Sequence, residues 1–292
     1  MLATPLRKFG YHYYLIEQLN SDTDSAKFYE VFSVLKNFSE IYALKLFRKK
    51  YNDLDIKKEI EIYGLLTKQE SPYFLKYISN SKDELIVKEK YIVLEFAEKG
   101  TLKDYILLGK FFSERTVKIL TWNIFQAFIQ LHEIGIVHKK ISLENILLDK
   151  FYNLKIGGFG FAEFIENEET KEKNRENAFK EDIYNLGFLI IQLLTRKMEF
   201  KNINGSIKSI IKNKKFEAFW VVVVSQTEVE LNREIKDLIN IMLSKQISDI
   251  RTLLNHNWFN ELRASINKKE FTIYEQFMKK ELKCIKESEI IA

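Results

Sequence analysis

The run HKKISLENILLD, from His138 to Asp149, holds the side chains best placed to do chemistry. An amide oxygen such as that of Asn145 is a ligand that suits magnesium, and a nearby carboxylate would accept the proton of a hydroxyl nucleophile. Lys140 lies five residues before Asn145 in this run. A lysine is cationic at neutral pH and has three donors and no acceptor, so it cannot orient a hydroxyl as a carboxylate does.

The elements that must position this run change in character along the chain. Residues 13–47 predict short strands, of which 41–47 (IYALKLF) is the clearest because it is rich in β-branched and aromatic residues. Residues 114–134 and 182–195 predict long, largely apolar helices, whereas 163–180 has much charge and the least structure. The order predicts a β-rich lobe followed by a helical lobe.

One amphipathic helix is predicted between the strands. Ile56, Ile60, Tyr63 and Leu66 recur at helical spacing, with Glu59 at the edge of that apolar stripe. The helix would therefore carry Glu59 at the border of its apolar face.

Taken in order, these segments resemble a eukaryotic serine/threonine protein kinase over about residues 11–262. The matching segments are YALK ending at Lys45, Glu59 in the next helix, VLEFAEKGTL, GIVHKKISLENILLD, LKIGGFGFA and DIYNLG. REIKDLINIML and LLNHNWF resemble the closing helices of the calmodulin-dependent and aurora-like branches.

The resemblance implies an α+β, bilobal fold, with a small β-rich N-lobe that contains one αC helix and a larger helical C-lobe. We expect the N-lobe to span residues 1–95, the C-lobe 96–265 and a C-terminal helical tail 266–292. Tyr63, Tyr77, His138 and Phe159 match the aromatic stack that joins the lobes in that family, with Asp182 beneath them.

The sequence departs from the family where its chemistry is done. Lys140 replaces the catalytic aspartate and Gly158 replaces the metal-binding aspartate of D-F-G. No glycine occurs between 11 and 63, and Asp24, Ala26 and Tyr29 stand where the three glycines of the phosphate-binding loop belong, so a tyrosine would block the approach to the phosphates. These losses predict that the chain is not an enzyme but a degenerate member, a pseudokinase, with no catalytic residue and no metal site.

A vestigial nucleotide site is still expected. Its phosphate side would be Lys45, Glu59 and Asn145, and its adenine slot would be Val31, Ala43 and Leu147. We predict no required cofactor and no stabilisation by magnesium-ATP, with weak metal-independent ATP binding as the alternative. Lys45 and Glu59 would form either a purely structural buried pair or a grip on nucleotide.

The function expected on this basis is that of a protein-binding scaffold or a structural subunit of a larger assembly. The alternatives are an allosteric regulator of an active enzyme with residual nucleotide binding and a divergent ATP-dependent transferase. Two segments could contact other proteins: the apolar run from Phe219 to Val224, and the tail from Thr272 to Ile290. Each would otherwise pack on its own lobe, and we favour that packing for both.

Composition and charge limit which other classes of protein the chain could belong to. The charge of +5 is spread over 46 basic and 41 acidic residues among 292, which does not indicate nucleic-acid binding. One cysteine allows no internal disulfide, and no segment reads as a membrane span or an apolar leader. We therefore expect a cytoplasmic protein, with a cytoskeletal or ciliary location as a further expectation.

Overall fold

The computed structural model describes residues 8–9, 13–19, 26–33, 40–49, 52–81, 89–109, 111–165, 172–198 and 206–288. Asp24 of the predicted phosphate loop, residues 166–171 of the weakly structured segment and Ile290 of the predicted tail lie outside these residues.

The N-terminal part is an antiparallel sheet. Its strands are β1 (Lys8–Phe9), β2 (Tyr13–Gln18), β3 (Ala26–Ser33), β4 (Ile41–Phe47), β5 (Tyr77–Asn80) and β6 (Tyr91–Glu95). In the described part of the chain they lie in the order β1-β2-β3-β4-β6-β5. Because side chains alternate between the two faces of a strand, Ala43 and Lys45 share one face and Tyr42 and Leu44 the other.

The helix α1 (Asp53–Lys68) packs beside this sheet and corresponds to the predicted αC helix. It begins at Asn52, whose side chain accepts a hydrogen bond from the backbone of Leu54. The buried residues of α1 are Ile56, Glu59, Ile62, Tyr63 and Leu66. The predicted stripe is therefore confirmed except that Ile62 is fully buried, while Ile60 is only partly buried.

The C-terminal part is helical, with short strand pairs near its junction with the sheet. Its helices are α2 (Leu102–Leu107), α3 (Glu114–Glu133), α4 (Glu172–Thr195), α5 (Ser206–Lys212), α6 (Phe216–Thr227), α7 (Arg233–Leu243), α8 (Asn260–Asn267) and α9 (Phe271–Glu287). The short strands are β7 (Ile136–Val137), β8 (Ile146–Leu148), β9 (Leu154–Ile156) and β10 (Glu163–Phe164), which pair as β7 with β10 and β8 with β9. A small strand-rich sheet followed by a larger helical part matches the predicted α+β arrangement.

The start of α4 differs from the expectation. Residues 163–180 were predicted to have little structure, yet α4 is helical from Glu172. Phe179 is buried and stacks on the ring of His132, with centroids 4.1 Å apart, and the Arg175 guanidinium lies over Phe179. Phe179 thus holds a highly charged segment against α3. One buried aromatic residue makes no periodic pattern, so the sequence did not reveal it.

The apolar run from Phe219 to Val224 lies in α6 and packs mainly into its own lobe, as favoured from the sequence. Phe219, Trp220 and Val223 are buried, and the Trp220 indole donates to Asn240 Oδ1 at 2.9 Å. Val221 points away from this core and is 68% exposed.

The predicted tail also packs on its own lobe, as helix α9. Met278, Leu282 and Ile285 are buried. Glu281 accepts hydrogen bonds from the backbone and hydroxyl of Ser113, at 2.7 and 2.6 Å, and from the hydroxyl of Thr116. A carboxylate at the start of α3 also complements the positive end of that helix's dipole. Among the described helices, none has the length and apolar character needed to cross a bilayer.

Candidate active site between the sheet and the helical part

The centre of the candidate site is a buried ion pair between β4 and α1. Lys45 Nζ lies 2.6 Å from Glu59 Oε1 and 2.8 Å from Oε2, and both side chains are almost entirely buried. The Lys45 ammonium also lies 5.0 Å from the centre of the Phe47 ring. The two residues that the sequence paired are therefore in direct contact.

The run that begins at His138 is anchored by Asp182 at the middle of α4. The fully buried Asp182 carboxylate accepts hydrogen bonds from the backbone N–H groups of His138 and Lys139, each at 2.8 Å. It also lies 3.0 Å from Nε2 of His132. These contacts explain why Lys139 adopts a left-handed backbone, with φ 63°, without a glycine.

His138 is a buried structural residue. Its Nε2 lies 3.0 Å from the carbonyl oxygen of Gly157, so Nε2 carries the proton and donates. Its Nδ1 is buried without a hydrogen-bond partner among the described residues. Burial lowers the pKa of this imidazole, and the ring is neutral at pH 7.

An aromatic stack connects α1 to this run. Phe159 meets Tyr63 edge-on at 5.0 Å and His138 at 5.1 Å between ring centroids. The Tyr63 hydroxyl accepts a hydrogen bond from the Gly158 backbone at 3.0 Å, and burial raises the pKa of that hydroxyl. Tyr77, the fourth predicted member, lies on β5 and is partly buried.

Sequence reasoning missed several contacts that form this junction. Phe74 packs against Phe159 at 5.9 Å, and its neighbour Leu75 donates a backbone hydrogen bond to Ile156 of β9. Lys155 of β9 pairs with Glu95 at the end of β6, at 3.1 Å. These contacts join segments far apart in the sequence, and no local spacing pattern reveals them. Sequence reasoning also missed Glu30, which belongs to the adenine slot described next.

The adenine slot needs a correction at Val31. In the pairing of β3 with β4, Val31 lies opposite Tyr42 and Glu30 lies opposite Ala43. Val31 therefore faces away from Ala43 and Lys45, into a cluster on the other face of the sheet that also contains Tyr29. A shift of one residue along a strand moves a side chain to the opposite face of the sheet. The sequence alignment of β3 had no glycines to fix its position and was wrong by one residue.

The pairing of β3 has two consequences for the cleft, which lies on the face of the sheet that carries Ala43 and Lys45, here called the inner face. Tyr29 does not block the phosphates, because its side chain is buried on the opposite, outer face. Glu30 shares the inner face with Ala43 and Leu94, and burial together with the nearby Glu17 raises the pKa of the Glu30 carboxyl. On the opposite side of the cleft, Leu147 of β8 is partly buried against the main core.

Two lysines lie at the mouth of the site. The Lys140 ammonium lies over the ring of Phe161, 4.3 Å from its centre, and both side chains are exposed. Lys139 forms an ion pair with Glu163 of β10. The exposed Lys140 ammonium places a positive charge at the mouth of the site, and such a charge favours anionic ligands.

The residues of this site do not fit the magnesium ion that the fold implies. Gly158 supplies no side-chain ligand, and the Asn145 amide donates from Nδ2 to the carbonyl oxygen of Lys140 at 2.9 Å. Among the described residues, no three His, Cys, Asp or Glu side chains cluster in a way that could bind a metal. Magnesium usually needs one or two carboxylates besides the phosphates.

Comparison with known proteins places the chain in a family. Residues 25–259, well over half of the sequence, match the protein kinase domain. The chain therefore belongs to the protein kinase family, and the family predicted from its motifs is confirmed.

The relatives are named serine/threonine kinases. The chain is 27% identical over 286 residues to the serine/threonine-protein kinase cds1 of Schizosaccharomyces pombe, covering 87% of this chain and 57% of the relative. It is 28% identical over 184 residues to the probable serine/threonine-protein kinase KCC4 of Saccharomyces cerevisiae, covering 57% of this chain and 17% of the relative. It is 30% identical over 200 residues to AtPK1/AtPK6 of Arabidopsis thaliana, covering 61% and 42%. The chain thus spans less than two thirds of the length of each of these relatives.

The fold matches that of a solved kinase domain. A crystal structure of the Rad53 kinase domain and SCD2 superposes with a TM-score of 0.64 and 20% sequence identity, covering 80% of this chain and 87% of the other. The predicted bilobal protein-kinase fold is confirmed.

The prediction that the chain is not an enzyme is wrong, because these comparisons contradict it. The relatives carry the names of serine/threonine kinases, and such names point to an enzyme. The prediction rested on the replacement of motif residues alone. Phosphoryl transfer depends mainly on positioning and electrostatic stabilisation, so the loss of one base does not decide whether the reaction occurs.

Proposed function

We propose that the chain is an ATP-using enzyme of the protein kinase family, which transfers the γ-phosphoryl group of ATP to a serine or threonine hydroxyl of a protein. The observation that carries the proposal is the closed Lys45–Glu59 pair, at 2.6 Å. In a kinase this lysine contacts the α- and β-phosphates, and its pairing with the glutamate is required for activity. The names of the relatives support the choice of hydroxyl.

The cleft supplies positioning and positive charge. Lys45 would contact the phosphates, Asn145 would lie beside them, and Ala43, Leu94 and Leu147 would enclose the adenine. Lys140, exposed at the mouth, would approach the transferred group and stabilise the negative charge on its oxygens. Binding is weak because Glu30 places a carboxyl on the inner face.

The transfer step needs no carboxylate at position 140. The substrate hydroxyl oxygen forms a bond to the γ-phosphorus, the bond from that phosphorus to the oxygen bridging to the β-phosphate breaks, and ADP leaves. The hydroxyl proton passes to an oxygen of the transferred group. A positioned base usually contributes about 10²–10⁴-fold, so the reaction should be slower than that of relatives that have one.

Substitution of Lys140 tests the proposal. Lys140→Ala should lower the rate of phosphoryl transfer from ATP without changing the melting temperature, because the side chain is exposed. Lys150→Ala is the matched control, since Lys150 is also exposed and lies 5.0 Å over an exposed ring, that of Phe151. Equal rates for the two variants and the wild type would remove Lys140 from the proposed chemistry. No transfer by any of the three would refute the enzymatic function.

A second candidate function is protein binding, as a scaffold or an allosteric regulator. It is favoured by two exposed apolar side chains, Val221 on α6 and Ile273 on α9, which are 68% and 59% exposed. Val221→Asp should release a partner seen on native sizing of the protein from its own cells. Leu54→Asp, at a site that is 73% exposed on α1, should not. Retention of all partners by Val221→Asp would argue against this surface.

We also propose that the N-lobe ends near residue 95 and that the C-lobe ends near residue 265, where the helical tail begins. The cytoplasmic, cytoskeletal or ciliary location expected from the sequence stays a prediction.

A further inference from the structure

An arginine at the end of α4 lies against exposed apolar side chains from the connection between α2 and α3. The central carbon of the Arg196 guanidinium lies over the Phe111 ring, 4.2 Å from its centre. Phe111 is 54% exposed, and Leu107, the last residue of α2, is 66% exposed. Arg196, Phe111 and Leu107 are called the Arg196 patch below. The patch combines a cation with apolar surface that is open to solvent.

Two backbone turns position the Arg196 patch. Gly109 has a left-handed backbone, with φ 78°, and its N–H donates to the carbonyl oxygen of Ile106 at 3.1 Å, so α2 ends there and the chain turns. Arg196 follows the last residue of α4 and is also left-handed, with φ 56°, and its N–H donates to the carbonyl oxygen of Gln192 at 2.8 Å. A Cβ atom built on Gly109 would lie 3.6 Å from Arg196 Nη2. The guanidinium therefore lies between the Gly109 turn and the Phe111 ring.

The hydrogen-bonding capacity of this guanidinium is not used within the described part of the chain. Its Nε atom is buried without a hydrogen-bond partner, and the group forms no ion pair with any described residue. Arg251, by contrast, forms ion pairs with Glu133 and Asp249. A guanidinium presents five donors in a planar fork that fits a carboxylate, and stacking on a ring holds that fork in one orientation. Arg196 is only partly buried, so an anion from outside can reach it.

We propose that the Arg196 patch binds a segment of another protein in which an aspartate or glutamate lies next to apolar side chains. The carboxylate accepts hydrogen bonds from Arg196, and its apolar neighbours cover Phe111 and Leu107. Arginine and phenylalanine are enriched at protein interfaces, and an arginine often carries a large share of the binding energy there. The unpaired positive charge favours an acidic segment over a basic one. Binding at this patch requires neither nucleotide nor phosphoryl transfer, so it is independent of the proposed enzymatic function.

The left-handed backbone of Arg196 allows a variant that removes the guanidinium and keeps the fold. Glycine adopts this conformation without strain, so Arg196→Gly should leave the melting temperature unchanged or raise it. Lys214→Gly is the matched control, because Lys214 is also cationic, exposed and left-handed, with φ 54°, but follows α5. Phe111→Ser removes the exposed ring that orients the guanidinium.

The test selects a library of random peptides, displayed on phage, for binding to the full wild-type chain and removes those that bind Arg196→Gly. The enriched peptides should carry aspartate or glutamate beside apolar residues. Their Kd, measured by fluorescence anisotropy, should rise at least about tenfold in Arg196→Gly, because hydrogen bonds between charged groups are among the strong ones.

The same Kd should rise in Phe111→Ser and stay unchanged in Lys214→Gly. Replacing the acidic residue of an enriched peptide by its amide should weaken binding to the wild type and not to Arg196→Gly, which shows that the two groups contact each other. Three results would each overturn the proposal: no peptide enriched after removal of those that bind Arg196→Gly, enriched peptides without acidic residues, or an equal loss of affinity in Lys214→Gly.

Discussion

Removing one partner of the Lys45–Glu59 pair should destabilise the protein strongly. Glu59→Gln leaves the Lys45 ammonium buried without a charged partner, and both side chains are almost fully buried. Breaking such a pair usually costs about 3–5 kcal/mol, because the remaining ion has lost its water. At about 2 °C per kcal/mol, the value for larger domains, the melting temperature should fall by about 6–10 °C.

The double replacement should behave differently. Lys45→Met with Glu59→Leu removes both charges and keeps the volume, so the free energy of unfolding should stay the same or rise by about 1–4 kcal/mol. If the pair serves ligand binding rather than stability, as we propose, the double variant should fold well and lose ATP binding. A purely structural pair would predict that ATP binding survives.

Urea denaturation followed by circular dichroism measures these changes without adding salt that screens charges. The control is Glu181→Gln, which breaks the exposed pair with Lys245, in which the side chains are 54% and 40% exposed. That change should cost no more than about 1 kcal/mol. If Glu59→Gln cost as little as Glu181→Gln, the reasoning about the buried pair would be refuted.

Two further predictions concern the helical part. Because the pKa of His138 is lowered in the folded protein, stability is complete above the ordinary value near 6.5 and is lost as the pH falls below it. Between pH 7.5 and 5.5 the wild type should lose up to about 1.4 kcal/mol more than His138→Phe, which keeps the stacked ring and cannot titrate. Equal pH profiles in urea melts would contradict this. Separately, Glu281→Ala should lower the free energy of unfolding by about 2 kcal/mol, since the carboxylate accepts three hydrogen bonds at the start of α3. Glu287→Ala, which removes an exposed pair with Lys283, is the control, and equal losses would show that α9 is not anchored by Glu281.

The sequence predicted the elements whose residues have a regular spacing. The stripe on α1 placed Glu59 at the edge of the apolar face, because helical periodicity determines which side chains share a face. The pairing of Glu59 with Lys45 was implied by the resemblance to the kinase family. It missed Ile62, since α1 contacts both the sheet and the Phe159 turn and so buries a wider face than one stripe. The motif series gave the family because each segment kept its order and spacing.

The errors have equally local causes. Val31 was assigned to the wrong face because, without glycines, the alignment shifted by one residue, and a strand reverses its faces at every residue. The enzyme prediction failed for a different reason: it counted absent acids, whereas family membership reflects the whole of residues 25–259.

The central claim is that this cleft transfers phosphate by means of the Lys45–Glu59 pair. The most direct test incubates the purified chain and a mixture of protein substrates with ATP labelled at the γ-phosphate, and measures label on serine and threonine. The account predicts incorporation by the wild type and none by Lys45→Met/Glu59→Leu, although that variant is folded. Equal incorporation by both proteins, or none by the wild type, would contradict it.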